Sequence, residues 1–256
     1  MSTDPANAPL IGERLAELLA LIRDSDSVEL KVTVPDSLRR SAVTSLDLDP
    51  LEGQLRQVWF FDTPDLALER AGVVVRARRT QGRGDDSVVK LRPVVPSELP
   101  AELRASPAFK TEVDVLPGGF VCSGSLRAEH KGSRVREALK GTIPIKDVWT
   151  KEQRRFYAAH APDGLAIEDL TPLGPVNVFK LKWTPTDYAQ KLVAELWFYP
   201  DGSRILELST KCAPADAITV ALGARAYLES HGLDLSGEQQ TKTRTALELF
   251  AGELSS

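Results

Sequence analysis

The chain has 256 residues, of which 42% are hydrophobic, and a formal net charge of -4 at pH 7. This length suffices for one large core, and all-β barrels often reach it as single domains. The negative charge argues against a surface built for nucleic acid or anionic lipid. There is no basic leader, no apolar run of membrane-spanning length and no close cysteine pair. We therefore expect a cytoplasmic protein without nucleic-acid or membrane partners.

Apolar periodicity predicts a helix, a series of strands and two final helices. Residues 10–23 have an amphipathic helical pattern, and from Ser27 apolar and polar residues alternate with the period of a half-buried strand. Short helices are predicted at 65–70 and 133–140, and final helices at 215–232 and 238–254. Further strands are predicted at 57–64, 71–80, 87–94, 109–116, 153–159, 164–170, 177–183, 192–199 and 204–210. This many short strands are typical of a barrel or a sandwich.

Charged residues occupy the strand face opposite the apolar one. They form pairs two residues apart, which point the same way in a strand; the pairs are Glu29/Lys31, Arg76/Arg78, Lys90/Arg92, Glu112/Asp114 and Lys180/Lys182. One interpretation is an antiparallel sheet with one face in water. The segregation of basic from acidic pairs favours a closed barrel whose charged faces line a tunnel.

A tunnel lined by Lys and Arg requires an anion, because these side chains otherwise repel one another. A triphosphate or polyphosphate has several charges along an extended chain, and arginine can hold phosphate oxygens in a bidentate manner. Carboxylates in the same tunnel are explained if Mg²⁺ or Mn²⁺ bridges carboxylate and phosphate oxygens. The sequence therefore predicts a triphosphate-bearing ligand and a divalent metal.

Several motifs resemble those of the CYTH, or triphosphate tunnel metalloenzyme, superfamily, which includes class IV adenylyl cyclases, thiamine triphosphatases and inorganic triphosphatases. The resemblance extends from about residue 27 to 211. Its most specific part is VWFFDTPDLALERAGVVVRARR followed by VVKLRP. SVELK resembles the E-x-E-x-K strand with Ser27 in place of the first Glu. FKTEVDV, TKEQRRFY, LAIED and RILELSTK resemble the later strands, with Glu168 in place of Asp and Ser209 in place of the final Glu.

The resemblance implies a closed antiparallel tunnel barrel of about eight to ten strands over residues 27–212. A helix (1–26) and C-terminal helices (213–256) would flank it within a single domain. It also implies that Mg²⁺ or Mn²⁺ is held by carboxylates, which we assign to Glu29, Glu112, Asp114, Glu168 and Glu207. We assign substrate binding to Lys31, Arg76, Arg78, Lys90, Arg92, Arg154, Lys180, Lys182 and Lys211. Lys31 is the predicted catalytic residue, and the choice between Arg154 and Arg155 stays open.

These features leave two classes of function open. The first is a metal-dependent triphosphate hydrolase or a cyclase acting on ATP. The second is a non-catalytic module that binds nucleotide or polyphosphate, which the serines at positions 27 and 209 favour. Near the start of the last helix, Lys242 and Arg244 are compatible with a position over the tunnel mouth or with a solvated helix face. A homodimer is compatible with the sequence.

Overall fold

The computed structural model describes residues 8–233, 239 and 242–254. Parts of the predicted terminal segments, at 1–7, 234–238, 240–241 and 255–256, therefore lie outside the described residues. The strands are β1 (Ser27–Val34), β2 (Gln54–Asp62), β3 (Val73–Thr80), β4 (Asp85–Leu91), β5 (Phe109–Leu116), β6 (Gly119–His130), β7 (Thr171–Trp183), β8 (Leu192–Phe198) and β9 (Arg204–Cys212). The helices are α1 (Ala8–Arg23), α2 (Arg39–Ser45), α3 (Ala67–Arg70), α4 (Ala101–Ala105), α5 (Arg134–Leu139), α6 (Lys151–Ala158), α7 (Ala217–Ser230) and α8 (Lys242–Leu254).

The strands form a closed barrel in the order β1, β5, β6, β4, β3, β2, β7, β8, β9. The predicted closed barrel with flanking helices is confirmed. It is mixed rather than fully antiparallel, because β1 runs parallel to β5 and antiparallel to β9. Closure gives every strand two neighbours, so no edge is left unpaired.

Two predicted strands are wrong and one strand is absent from the prediction. Residues 153–159 are mostly in α6, whose start is fixed by a capping box between Thr150 and Gln153. Most of the predicted strand at 164–170 is a loop that ends in a short 3-10 turn, Ile167–Asp169. The absent strand is β6, where glycine and serine residues hide the alternation. Gly124 is required there, because a Cβ at this position would lie 2.5 Å from the Phe109 ring.

The helices cover most of the barrel from outside, and α8 closes it at one end. On the outside, Tyr227 and Leu228 of α7 pack against apolar side chains of β1 and β9. On the inside, α8 packs against a cluster that contains Val58, Trp197 and Ile205. Because Trp197 and Ile205 lie two residues from Glu195 and Glu207, they share the face that lines the lumen. Among the described helices, none is long and apolar enough to cross a membrane.

Candidate functional site

The lumen has two walls with different charge balance. One wall, termed the basic wall, consists of Arg56, Arg76, Arg78, Lys90, Arg92 and Arg127, with Asp86 as its acidic member. The other, termed the paired wall, consists of Glu29, Lys31, Asp114, Lys180, Glu195 and Glu207. Six cations face one carboxylate on the basic wall, whereas four carboxylates face two cations on the paired wall, so cations are in excess over the two walls together. The lumen as a whole therefore favours an anionic occupant.

Three carboxylates of the lumen approach one another at one place. One ligand oxygen from each of Glu29, Glu112 and Asp114 lies within 4.8 Å of the others. Glu29 and Asp114 share the Lys31 ammonium, whose Nζ is 2.9 Å from Glu29 Oε2 and 2.8 Å from Asp114 Oδ1. Glu112 is paired with Lys211 at the edge of the lumen. This carboxylate cluster can hold a metal.

Asp114 is the central residue of the cluster. Its side chain is fully buried, and Arg92 and Lys90 lie 3.2 Å and 3.9 Å from its Oδ2. Burial raises its pKa, but Lys31, Lys90 and Arg92 outweigh this effect and lower the pKa, so the carboxylate is ionised. Its oxygens lie against the cations of Lys31, Arg92 and Lys90. A buried, ionised carboxylate supplies oxygen ligands of the kind that a hard divalent cation takes.

Lys31 is a fixed positive charge. Burial lowers its pKa, but Glu29, Asp114 and Glu207 outweigh burial and raise the pKa above its usual range. The amine is therefore protonated at any physiological pH. It can stabilise negative charge on a ligand, but it cannot accept a proton as a general base.

The basic wall contains cations that the protein does not neutralise. Arg78 donates from Nε to Asp86 at 2.7 Å. The Nε atoms of Arg56 and Arg76 are buried and have no hydrogen-bond partner among the described residues. Burial, together with Arg78, lowers the pKa of both side chains to about 10. Buried guanidinium nitrogens without a hydrogen-bond partner are costly, and an anion in the lumen would supply one.

Lys90 is the most easily deprotonated cation of the basic wall. Burial, with a contribution from Lys31 and Arg92, lowers its pKa to about 8, although Asp114 acts in the opposite direction. Its charge therefore changes in the mildly alkaline range. A bound anion would restore the protonated form.

Four predicted site residues belong neither to the two walls nor to the carboxylate cluster, although one of them, Lys211, pairs with Glu112. Arg154 lies on the surface of α6, donates to the carbonyls of Lys146 and Trp149, and is 3.7 Å from Asp147. Glu168 is 3.7 Å from Lys146 on the same surface. Both were placed on predicted strands that do not form. The other two, Lys182 and Lys211, are exposed residues near the ends of β7 and β9.

Ser27 and Ser209, for which the motif resemblance implies glutamate, donate hydrogen bonds to lumen carboxylates. Ser27 Oγ donates to Glu112 Oε2 at 3.3 Å, and Ser209 Oγ donates to Glu29 Oε1 at 3.1 Å. They thus orient acidic residues and add no charge. Glu207, which we predicted as a metal ligand, contacts Lys242 at 2.7 Å and is not part of the carboxylate cluster.

Other lumen residues are missing from the prediction. Arg56 lies one residue before the predicted start of its strand, and Arg127 belongs to the unpredicted β6. Extending the alternation of β2 backwards would have found Arg56, since it shares a face with Val58. Lys242, for which the sequence left open a position over the tunnel mouth or on a solvated helix face, reaches the lumen from α8.

Comparison with known proteins identifies the fold. No protein-family model matches the sequence, and no curated protein matches it. A Hippeastrum protein proposed as an adenylyl cyclase, with a dominant triphosphatase activity, matches at TM-score 0.62 and 15% identity over 86% of this chain and 94% of its own. A Bacillus halodurans protein proposed as an adenylate cyclase matches at TM-score 0.59 and 13% identity over 86% and 97%. The chain has the fold of these proteins. These matches confirm the fold that the motif resemblance implied.

Proposed function

We propose that this tunnel-fold chain is a divalent-metal-dependent phosphohydrolase that acts on a triphosphate-bearing substrate. The observation that carries the proposal is the combination, in one lumen, of a carboxylate cluster and a basic wall on which the buried Nε atoms of Arg56 and Arg76 have no hydrogen-bond partner among the described residues. The triphosphatase activity of the Hippeastrum protein with the same fold supports it. Inorganic triphosphate and nucleoside or thiamine triphosphates share the group that such a site recognises.

Each set of residues has a role set by its charge. Arg56, Arg76 and Lys90 would bind phosphoryl oxygens, and their charge would stabilise the negative charge of the transition state. Lys31, which remains protonated, would orient the phosphate to be cleaved. Glu29 and Asp114, both ionised because their pKa values are lowered by Lys31 against the effect of burial, would hold the metal together with Glu112.

We propose Mg²⁺ or Mn²⁺ as the metal. These ions take oxygen ligands and commonly bridge carboxylates and phosphates. When bound, such an ion would neutralise phosphate charge and activate the attacking water. The protein's own contribution is to position the triphosphate along the basic wall.

Phosphate release from tripolyphosphate and ATP, with Mg²⁺, with Mn²⁺ or with EDTA, tests the proposal. We expect metal-dependent release that is lost in Arg76→Met and Lys31→Met and retained in Arg79→Met. Arg79 is the control because it lies on the outer face of the same strand and donates to Gln57 at 3.0 Å. Cyclic AMP formed from ATP would indicate a cyclase. Metal-independent release, or equal loss in all three variants, would contradict the assignment.

A non-catalytic binding module is the second candidate. The observation in its favour is that Glu207 pairs with Lys242 and Glu112 pairs with Lys211. These two ion pairs leave fewer free carboxylates to bind a metal. Thermal stabilisation by tripolyphosphate that depends on Arg76, without phosphate release under any metal condition, would identify this function.

A further inference from the structure

Lys242, the first residue of α8, places its side chain in the lumen between two carboxylates. Its Nζ lies 2.6 Å from Glu195 Oε2 and 2.7 Å from Glu207 Oε1, and its side chain is 14% exposed. Glu195 and Glu207 are directly opposite each other on β8 and β9. Like charges in this arrangement destabilise a sheet. The ammonium group therefore stabilises two residues that would otherwise repel each other.

The packing of α8 fixes this amine in place. Leu247 and Phe250 of the helix belong to one buried cluster with Phe60 and Trp197 of the barrel. Tyr199 Oη donates to the Lys242 carbonyl at 3.1 Å, and the Lys242 Nζ lies 5.1 Å from the centroid of the Trp197 ring. The position of the charge is thus set by the fold of the chain.

The hydrogen bonds of the Glu195 carboxylate are shared among three donors. Its Oε1 accepts from Lys180 at 2.7 Å, and its Oε2 accepts from Lys242 and from Trp197 Nε1, at 2.6 Å and 3.3 Å. Two cations and two carboxylates balance at this end of the lumen. Burial lowers the pKa of Lys242, but Glu195 and Glu207 outweigh burial and raise it. The amine is therefore charged at neutral pH.

We propose that Lys242 is the built-in cation of the Glu195/Glu207 pair and occupies the place that a divalent metal would otherwise take there. The inference rests on the proposed function of the lumen and deepens it, because it restricts metal to the cluster of Glu29, Glu112 and Asp114. It assigns Glu207 a partner on α8, where the family resemblance implies a metal.

Mn²⁺ titration in the absence of any phosphate tests this inference. Removing the amine in Lys242→Met leaves two opposed carboxylates with a single ammonium group beside them, that of Lys180, which pairs with Glu195. We expect this variant to bind one more Mn²⁺ per chain than the wild type by calorimetry. We also expect a melting temperature that is lowered in EDTA and restored by Mn²⁺. Lys242→Arg and Arg244→Met should behave as the wild type; Arg244 is the control because it pairs with Glu248 on the exposed side of the same helix. An unchanged Mn²⁺ stoichiometry in Lys242→Met would overturn the inference.

A second variant decides the question if Lys242→Met does not fold. Glu207→Gln removes a carboxylate that, on this inference, does not bind metal. The Mn²⁺ affinity of this variant should stay within about twofold of the wild type, whereas a loss of about tenfold or more would overturn the inference. Neither readout uses hydrolysis. A wild-type protein without phosphohydrolase activity would therefore contradict the proposed function and leave this test intact.

Discussion

Replacing Arg76 by Met should stabilise the free protein and weaken its binding of triphosphate. The guanidinium lies in the lumen, its Nε has no hydrogen-bond partner among the described residues, and burial lowers its pKa to about 10. A pKa lowered by this much means that keeping Arg76 charged costs the folded protein about 3 kcal/mol of unfolding free energy. Because the side chain is partly exposed, we expect solvent screening to reduce the gain in unfolding free energy to about 1–2 kcal/mol.

The same substitution removes a charge-assisted hydrogen-bond donor from the ligand site. Such bonds contribute about 1.5–3 kcal/mol, so tripolyphosphate affinity should fall by about 10- to 100-fold. Urea unfolding without ligand and calorimetric titration with tripolyphosphate measure the two effects. Arg79→Met, on the outer face of the same strand, should change neither. A destabilised Arg76→Met protein, or one that binds tripolyphosphate as the wild type does, would refute the reasoning.

Two further predictions concern lysines of the lumen. Lys31→Met removes the cation closest to buried Asp114, which is also the partner of Glu29, and should lower the unfolding free energy in urea by about 3–5 kcal/mol. Lys110→Met, which breaks the exposed pair of Lys110 with Asp26, should cost under about 1 kcal/mol. Equal effects of the two substitutions would contradict the charge network. Because the pKa of Lys90 is lowered to about 8, its charge is present below that pH and lost above it. Tripolyphosphate affinity of the wild type, measured calorimetrically from pH 7 to 9, should therefore fall by up to about tenfold relative to Lys90→Arg. If the tripolyphosphate affinity of both proteins changed with pH in the same way, Lys90 would not lose its proton between pH 7 and 9.

The lumen-facing residues of most strands could be predicted because a strand places every second side chain on the same face. Arg76 with Arg78, and Glu112 with Asp114, are assigned to one face by this rule alone. The rule predicts which face of the sheet a side chain lies on, but not how far inside the barrel it lies. Lys182 obeys the same alternation as Lys180, yet it lies near the end of β7 and is exposed.

The errors in the predicted strands arise where local sequence signals compete with the alternation of apolar and polar residues. The segment around Arg154 alternates well enough to resemble a strand, but Thr150 and Gln153 form a capping box that starts a helix. The family resemblance reinforced the wrong interpretation at this segment. In β6, the adjacent residues Ser123 and Gly124 point to opposite faces and are both buried, so the strand lacks the apolar–polar alternation that would mark it.

The partner of Glu207 could not be predicted from local sequence. Its contact with Lys242 joins β9 to a helix that begins thirty-five residues later, and it exists only because α8 packs against the lumen face of the barrel. A contact of this kind depends on tertiary packing. The structure decides between the two positions that the sequence left open for Lys242, and it shows that the last helix supplies a charge to the site.

The most direct test of the central claim is a crystal structure of the protein with tripolyphosphate and Mn²⁺, with anomalous data recorded for manganese. We predict phosphate density along Arg56, Arg76 and Lys90, and an anomalous peak at the carboxylates of Glu29 and Asp114. An empty lumen with tripolyphosphate bound elsewhere, or a phosphate chain that avoids the basic wall, would contradict the account.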